Sequence, residues 1–144
     1  MALQIPPARA AVDGLAPFVH VADVERSLAF YAQLGLAVAS RHAVDGRTVW
    51  GSMKHGQAHV MFALADGPVD DLVQGVLFYL YSPDVRALRA HLVACGLCEL
   101  AALPPPGVSA RASVFAIRHP FYMPAGELRV HDPDGYCLLV GQLD

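Results

Sequence analysis

The chain has 144 residues, 55% of them hydrophobic and 16% charged, and a formal net charge of −3 at pH 7 with histidine neutral. That is one domain's worth of chain, too apolar for intrinsic disorder and without the basic surplus that non-specific nucleic-acid binding needs to displace counterions from phosphates. Its apolar runs are broken by Asp, Arg or His before the ~18 residues of a membrane span, and no charged-then-apolar leader is visible. Three cysteines cannot all pair with one another, which points to a reducing, cytoplasmic setting.

Residues 1–14 read as an arm, with Pro6-Pro7 followed by an Ala-rich stretch of no clear period; it is either a loosely held tail or a segment that packs on a partner subunit. A first module follows over residues 15–66. Phe18 to Val21 alternates like a strand, and Asp23 is placed as an N-cap. Val24, Leu28 and Tyr31 recur at helical spacing, widened by Phe30 and Leu34, and Gly35 stands where a left-handed C-cap is wanted. Thr48 to Met53 and Ala58 to Leu64 read as strands joined by a hairpin turn at Lys54-His55-Gly56-Gln57. Residues 67–74, with Gly67-Pro68 and Asp70-Asp71, read as a solvated linker.

The second module, residues 75–144, repeats the pattern. A strand through Tyr79 to Ser82 leads to Asp84 as N-cap, then to the stripe Val85, Leu88, Leu92 and Cys95, closed by Gly96. Asp23 and Asp84, Gly35 and Gly96, and Leu36 and Leu97 all stand 61 positions apart, an internal repeat of strand–helix units. Leu103 to Ser109, with three prolines in a row, is a loop. Ala112 to Ile117, Glu127 to His131 and Tyr136 to Gly141 are strand-like, the last two joined through Pro133-Asp134-Gly135, which is turn chemistry. The expected class is α+β, built from tandem βαβββ modules.

Two segments carry a family likeness: Val21-Ala22-Asp23-Val24-Glu25-Arg26-Ser27-Leu28-Ala29-Phe30-Tyr31 with Leu34-Gly35-Leu36, and Glu127-Leu128-Arg129-Val130-His131-Asp132-Pro133-Asp134-Gly135-Tyr136. With the tandem pattern they resemble the vicinal oxygen chelate superfamily of glyoxalases, bleomycin-resistance proteins and extradiol dioxygenases. The resemblance spans roughly Leu15 to Gln142. It implies paired modules whose sheets curl into a cup around one pocket, and commonly a dimer.

Alternation assigns the faces. Val19, Val21, Val60, Phe62, Val76, Phe78, Leu80, Leu128, Val130, Leu138 and Val140 suit the helix side. A three-residue turn with a glycine bulge pairs Val130 with Leu138 and Arg129 with Leu139. Phe18, His20, Trp50, His59, Met61, Tyr79, Tyr81, Glu127 and Arg129 are thereby the candidate ligand-binding residues of the cup.

The resemblance also implies where a metal would be held in metal-dependent relatives: Ala16, Leu77, Leu139 and, within a residue, Met61. Three of these have no ligating atom, and a thioether suits a hard divalent ion poorly. No metal and no cofactor are therefore expected, and no catalytic residue is assigned. His20, His59 and His131 with Glu127 are the alternative, a relocated metal site. Cys95 and Cys98 form a CxxC spacing without a second pair, and His42, His55 and His91 read as surface or turn residues. The expected function is a metal-free small-molecule binder of the bleomycin-resistance type that sequesters a planar aromatic compound or antibiotic, without turnover, as a homodimer. The alternative is a lyase, isomerase or dioxygenase of the same fold that uses relocated His/Glu ligands or metal-free acid–base chemistry.

Overall fold

The computed structural model describes residues 14–144; the arm expected over residues 1–14 lies, Gly14 apart, outside them. In chain order the elements are β1 (Phe18–Val21), α1 (Val24–Ala32), β2 (Ala37–Val44), β3 (Arg47–His55), β4 (Ala58–Leu64), β5 (Leu77–Tyr81), α2 (Val85–Ala94), β6 (Cys98–Leu100), β7 (Ser113–Phe115), β8 (Glu127–His131) and β9 (Cys137–Gly141). They form two mixed sheets, in the orders β1-β4-β3-β2 and β5-β9-β8-β7-β6. The second half departs from βαβββ by one strand. After β6 the proline-rich loop carries the chain away, and it returns as β7 running parallel to β6, because consecutive prolines cannot donate to a ladder.

The repeat is made by matched helix ends. The Asp23 carboxylate accepts from the amide of Arg26 at 3.1 Å, and that of Asp84 from the amide of Ala87 at 3.0 Å. Gly35 and Gly96 adopt φ of +94° and +100°. Each lets the next amide turn back into the helix, Leu36 to the Tyr31 carbonyl and Leu97 to that of Leu92, and both leucines are buried, as such caps require.

Alternation puts Val19, Val21, Met53, Val60 and Phe62 under α1, and Val114, Leu128, Val130, Leu138 and Val140 beside α2, all buried in one continuous core. Val76 stands just before β5 and is exposed. α1 lies close on its sheet: a Cβ at Gly51 would sit 3.0 Å from Leu28 Cδ2. In the last hairpin Val130 pairs with Leu138 and Arg129 with Leu139, the register that the glycine-bulge turn dictates.

The turn of that hairpin is buried against α1. Asp132 is 0% and Asp134 2% exposed. The Asp134 carboxylate accepts from the amide of Ala22, Nη2 of Arg26 and the hydroxyl of Ser27. The Asp132 carboxylate accepts from the Tyr31 hydroxyl and from the amides of Asp134 and Tyr136, each at 2.9 Å. The Tyr136 hydroxyl then donates to the carbonyl of His20. The stretch expected as a solvated linker also packs here: Gln74 Nε2 donates to the Asp134 carbonyl, and the backbone of Asp71 occupies the place where a Cβ at Gly135 would stand. Glycine is required there twice over, since φ is +85°.

This network yields a stability prediction. Asp132→Ala leaves three donors without their acceptor, and at ~1–3 kcal/mol per buried unsatisfied group the loss of stability is expected to be at least about 3 kcal/mol. Asp132→Asn keeps an acceptor oxygen and costs less. Urea unfolding of the two variants measures the difference, and equal losses would show that acceptor geometry at this position is immaterial.

Candidate ligand-binding site

The face opposite each helix is set by pairing. In the first sheet Phe18 pairs with Met61 and His20 with Ala63; Met61 pairs on with Ser52, Ala63 with Trp50, and His59 with Lys54. Phe18, His20, Trp50, His59 and Met61 thus share one face. His42 is exposed, as its position suggested, and by pairing with Trp50 it joins this face, which its position did not show. The missed signal is Asp45-Gly46, whose φ values of +51° and +78° make the two-residue hairpin turn that this dipeptide favours; reading it would have registered β2 against β3.

In the second sheet Tyr79 pairs with Leu139 and Tyr81 with Gly141; Leu139 pairs with Arg129 and Gly141 with Glu127. Tyr79, Tyr81, Glu127 and Arg129 share this face. The rings of Tyr79 and Tyr81 lie 5.5 Å apart. Gly141 gives Tyr79 room to lean over: a Cβ there would stand 3.0 Å from its hydroxyl and 2.8 Å from Met123 Cε. That hydroxyl donates to Glu127 Oε2 at 2.6 Å, and the Tyr122 hydroxyl to Oε1 at 3.4 Å. Desolvation, then the hydrogen bond and charge of Glu127, raise the Tyr79 pKa well above that of an ordinary phenol.

Arg129 has turned the other way. Its Nε donates to His131 Nε2 at 2.9 Å, and its guanidinium carbon stands 5.8 Å from the centroid of the Phe115 ring. Burial, and then the Arg129 charge, lower the His131 pKa to about 4, so the imidazole is neutral at pH 7 and can accept that bond.

These faces stay open within one chain: Phe18 is 54%, Leu77 57%, Tyr79 41% and Tyr81 62% exposed. A cavity of about 670 Å³ runs along the free edge of β5, bounded by Tyr31, Leu34, Leu36 and the β3–β4 turn. Of the nine candidates it contains His59, Tyr79 and Tyr81; Phe18, His20, Trp50, Met61, Glu127 and Arg129 lie outside its wall. The family's metal positions do not fit a metal. Leu139 lies between Tyr79 and Arg129, Leu77 beside Cys137, and Met61 beside Phe18. Among the described residues no three His, Cys, Asp or Glu side chains converge. Cys95 and Cys98 are exposed free thiols, with Cys95 Sγ 3.6 Å from His91 Nε2.

A sequence profile of the Glyoxalase/Bleomycin resistance protein/Dioxygenase superfamily matches residues 14–139. The chain belongs to this superfamily. Among solved structures, that of a bleomycin resistance determinant encoded on the transposon Tn5 is similar with a TM-score of 0.70 at 21% identity, covering 92% of this chain and 99% of that one. A bleomycin-binding protein from Streptomyces verticillus, complexed with copper(II)-bleomycin, gives 0.65 at 14% identity over 94% and 99%. TnmS3, an antibiotic binding protein from Streptomyces sp. CB03234, gives 0.64 at 20% over 94% and 100%. At these identities the likeness is one of fold. No curated protein sequence matches significantly. Among the described residues no helix is long and apolar enough to cross a membrane.

The superfamily's Asp132 motif and the adjoining His131 give opposed pH dependences. Desolvation outweighs three hydrogen bonds and raises the Asp132 pKa to about 6. The pH-dependent part of its contribution is therefore complete below the ordinary carboxylate value and is lost as pH rises through 6; the gap corresponds to about 3 kcal/mol. His131 is depressed, so its contribution is complete above 6.5 and is lost as pH falls through 4, with a smaller amplitude because the ring is half exposed and screened. Thermal melts between pH 7 and 5 are expected to show Asp132→Asn losing stability on acidification and His131→Phe gaining it. Parallel slopes in the two variants would refute the assignment.

Proposed function

We propose that this protein binds and sequesters a small planar aromatic molecule, without turnover, in a cup that a second copy of the chain completes. The observation that carries this reading is the pair of open faces opposite the helices, which leave Phe18, Leu77, Tyr79 and Tyr81 largely exposed. The adjoining rings of Tyr79 and Tyr81, 5.5 Å apart, make an exposed patch of the kind that marks an interaction surface, and flat rings with a few polar anchors suit a flat ligand. The fold shared with bleomycin-binding and antibiotic-binding proteins supports the same reading. Dimerisation would place the sheet bearing Phe18, His20, Trp50, His59 and Met61 opposite a copy of the sheet bearing Tyr79, Tyr81, Glu127 and Arg129, each side supplying half the lining. Aliphatic residues at the family's metal positions agree with binding alone.

One contact favours a second reading. The short hydrogen bond from Tyr79 to Glu127 sets a phenol beside a carboxylate on the open face, side-chain types that an acid–base lyase or isomerase of this fold could use.

Light scattering at micromolar concentration is expected to give a homodimer. Bleomycin and a panel of planar aromatic antibiotics, screened by thermal shift, are expected to include compounds that raise the melting temperature and are recovered chemically unchanged. Tyr79→Ala and Tyr81→Ala are expected to weaken that binding while unfolding stays cooperative. Recovery of a converted compound would favour the enzyme. A monomer unmoved by every compound, or Tyr→Ala losses of the ~3–5 kcal/mol typical of a core aromatic with binding intact, would overturn the binding reading.

A further inference from the structure

Glu127 and Arg129 are two residues apart on β8 and share its open face, where opposite charges at this spacing would ordinarily find each other. They do not. Glu127 has both oxygens engaged by tyrosine hydroxyls, and Arg129 gives its Nε to His131. The Arg129 guanidinium is further held near the face of the Phe115 ring, a ring buried beneath it and itself 5.3 Å from the His131 ring. Its two terminal NH2 groups have no hydrogen-bond or ion-pair partner among the described residues.

The chain therefore keeps a half-buried, oriented guanidinium with its fork unused, while the nearby carboxylate is occupied elsewhere. A side chain fixed through Nε loses little freedom when the fork binds, and an arginine fork matches the two oxygens of a carboxylate or sulfonate. His131 can play its part only as a neutral acceptor, a state that burial and the Arg129 charge both favour. The two terminal nitrogens are not among the buried unpartnered atoms, so they stay within reach of an anionic group arriving from solvent.

We propose that Arg129, positioned by His131 and Phe115, is the anchor for an acidic group on the ligand, so that the preferred ligand class is a planar aromatic acid rather than a neutral or cationic aromatic. This rests on the proposed aromatic-binding face.

The test uses two fluorescent probes with the same rings: 8-anilinonaphthalene-1-sulfonate, and N-phenyl-1-naphthylamine, which lacks the sulfonate. The full-length protein is expected to bind the sulfonate at least about tenfold more tightly, the size of one good charge-assisted contact. Arg129→Gln should bring the two affinities together by weakening the sulfonate alone. Arg129→Lys, which keeps the charge but loses the fork, should fall between, and serves as the test if the glutamine variant does not fold. Arg86→Gln, an exposed arginine on α2, should change neither and controls for net charge. Equal affinities in the wild type, or equal losses for both probes in Arg129→Gln, would overturn the anchor while leaving the aromatic face standing. Binding of neither probe to the wild type would overturn both.

Discussion

The architecture depends on two buried carboxylates in a hairpin turn. Asp132 and Asp134 belong to the second module, yet most of their side-chain partners belong to the first: Tyr31, Arg26, Ser27 and the Ala22 amide. Burying two acids is unfavourable unless nearly every lone pair is met, and here the donors are three backbone amides, two hydroxyls and one guanidinium. The two segments that carry the family likeness are thus each other's binding partners. That explains why they occur together, and why α1 is held at a fixed angle to the β8–β9 hairpin.

That clamp decides what remains outside. The helix-side faces of both sheets are consumed in a single core, so the opposite faces are left for other uses, and the two differ in character. The face of the first sheet carries His20, His42, His59 and Lys54 around Trp50 and Phe18, with no acid among them. The face of the second carries an acid wrapped in tyrosines and an arginine held by a neutral histidine. Each charged group on that second face is fixed by its own neighbours rather than by the other, which gives the surface separate acidic and basic corners a few residues apart.

Much of this could be read along the chain, for reasons that can be named. The N-caps at Asp23 and Asp84, the positive-φ glycines 35 and 96 and the β8–β9 register are local: period and turn chemistry act over a few residues, and the alternation in β1, β4, β5 and β8 sorted the faces correctly. What escaped is mostly non-local. Nothing near Asp132 announces Tyr31. Asp70 is exposed, as a solvated linker requires, whereas Asp71 packs because its contacts, with Gly135 and Ser109, come from far along the chain. β6 parted from β7 because a proline loop separated them. His42 is exposed as expected; only its place on the open face went unread, although Asp45-Gly46 is itself a local signal. Alternation placed Arg129 on its face, but could not say that it would turn to His131 rather than to Glu127.

The sequence distance across the clamp bears on how the protein is made. Its bonds join residues 101 to 112 positions apart, among the longest loops a chain of this length can close, and such closure slows folding. During synthesis, α1 and its sheet leave the ribosome long before the turn that secures them. Until residue 134 has emerged, Tyr31 and Ser27 lack their acceptors. The first module is therefore the portion of the chain most in need of protection on the ribosome.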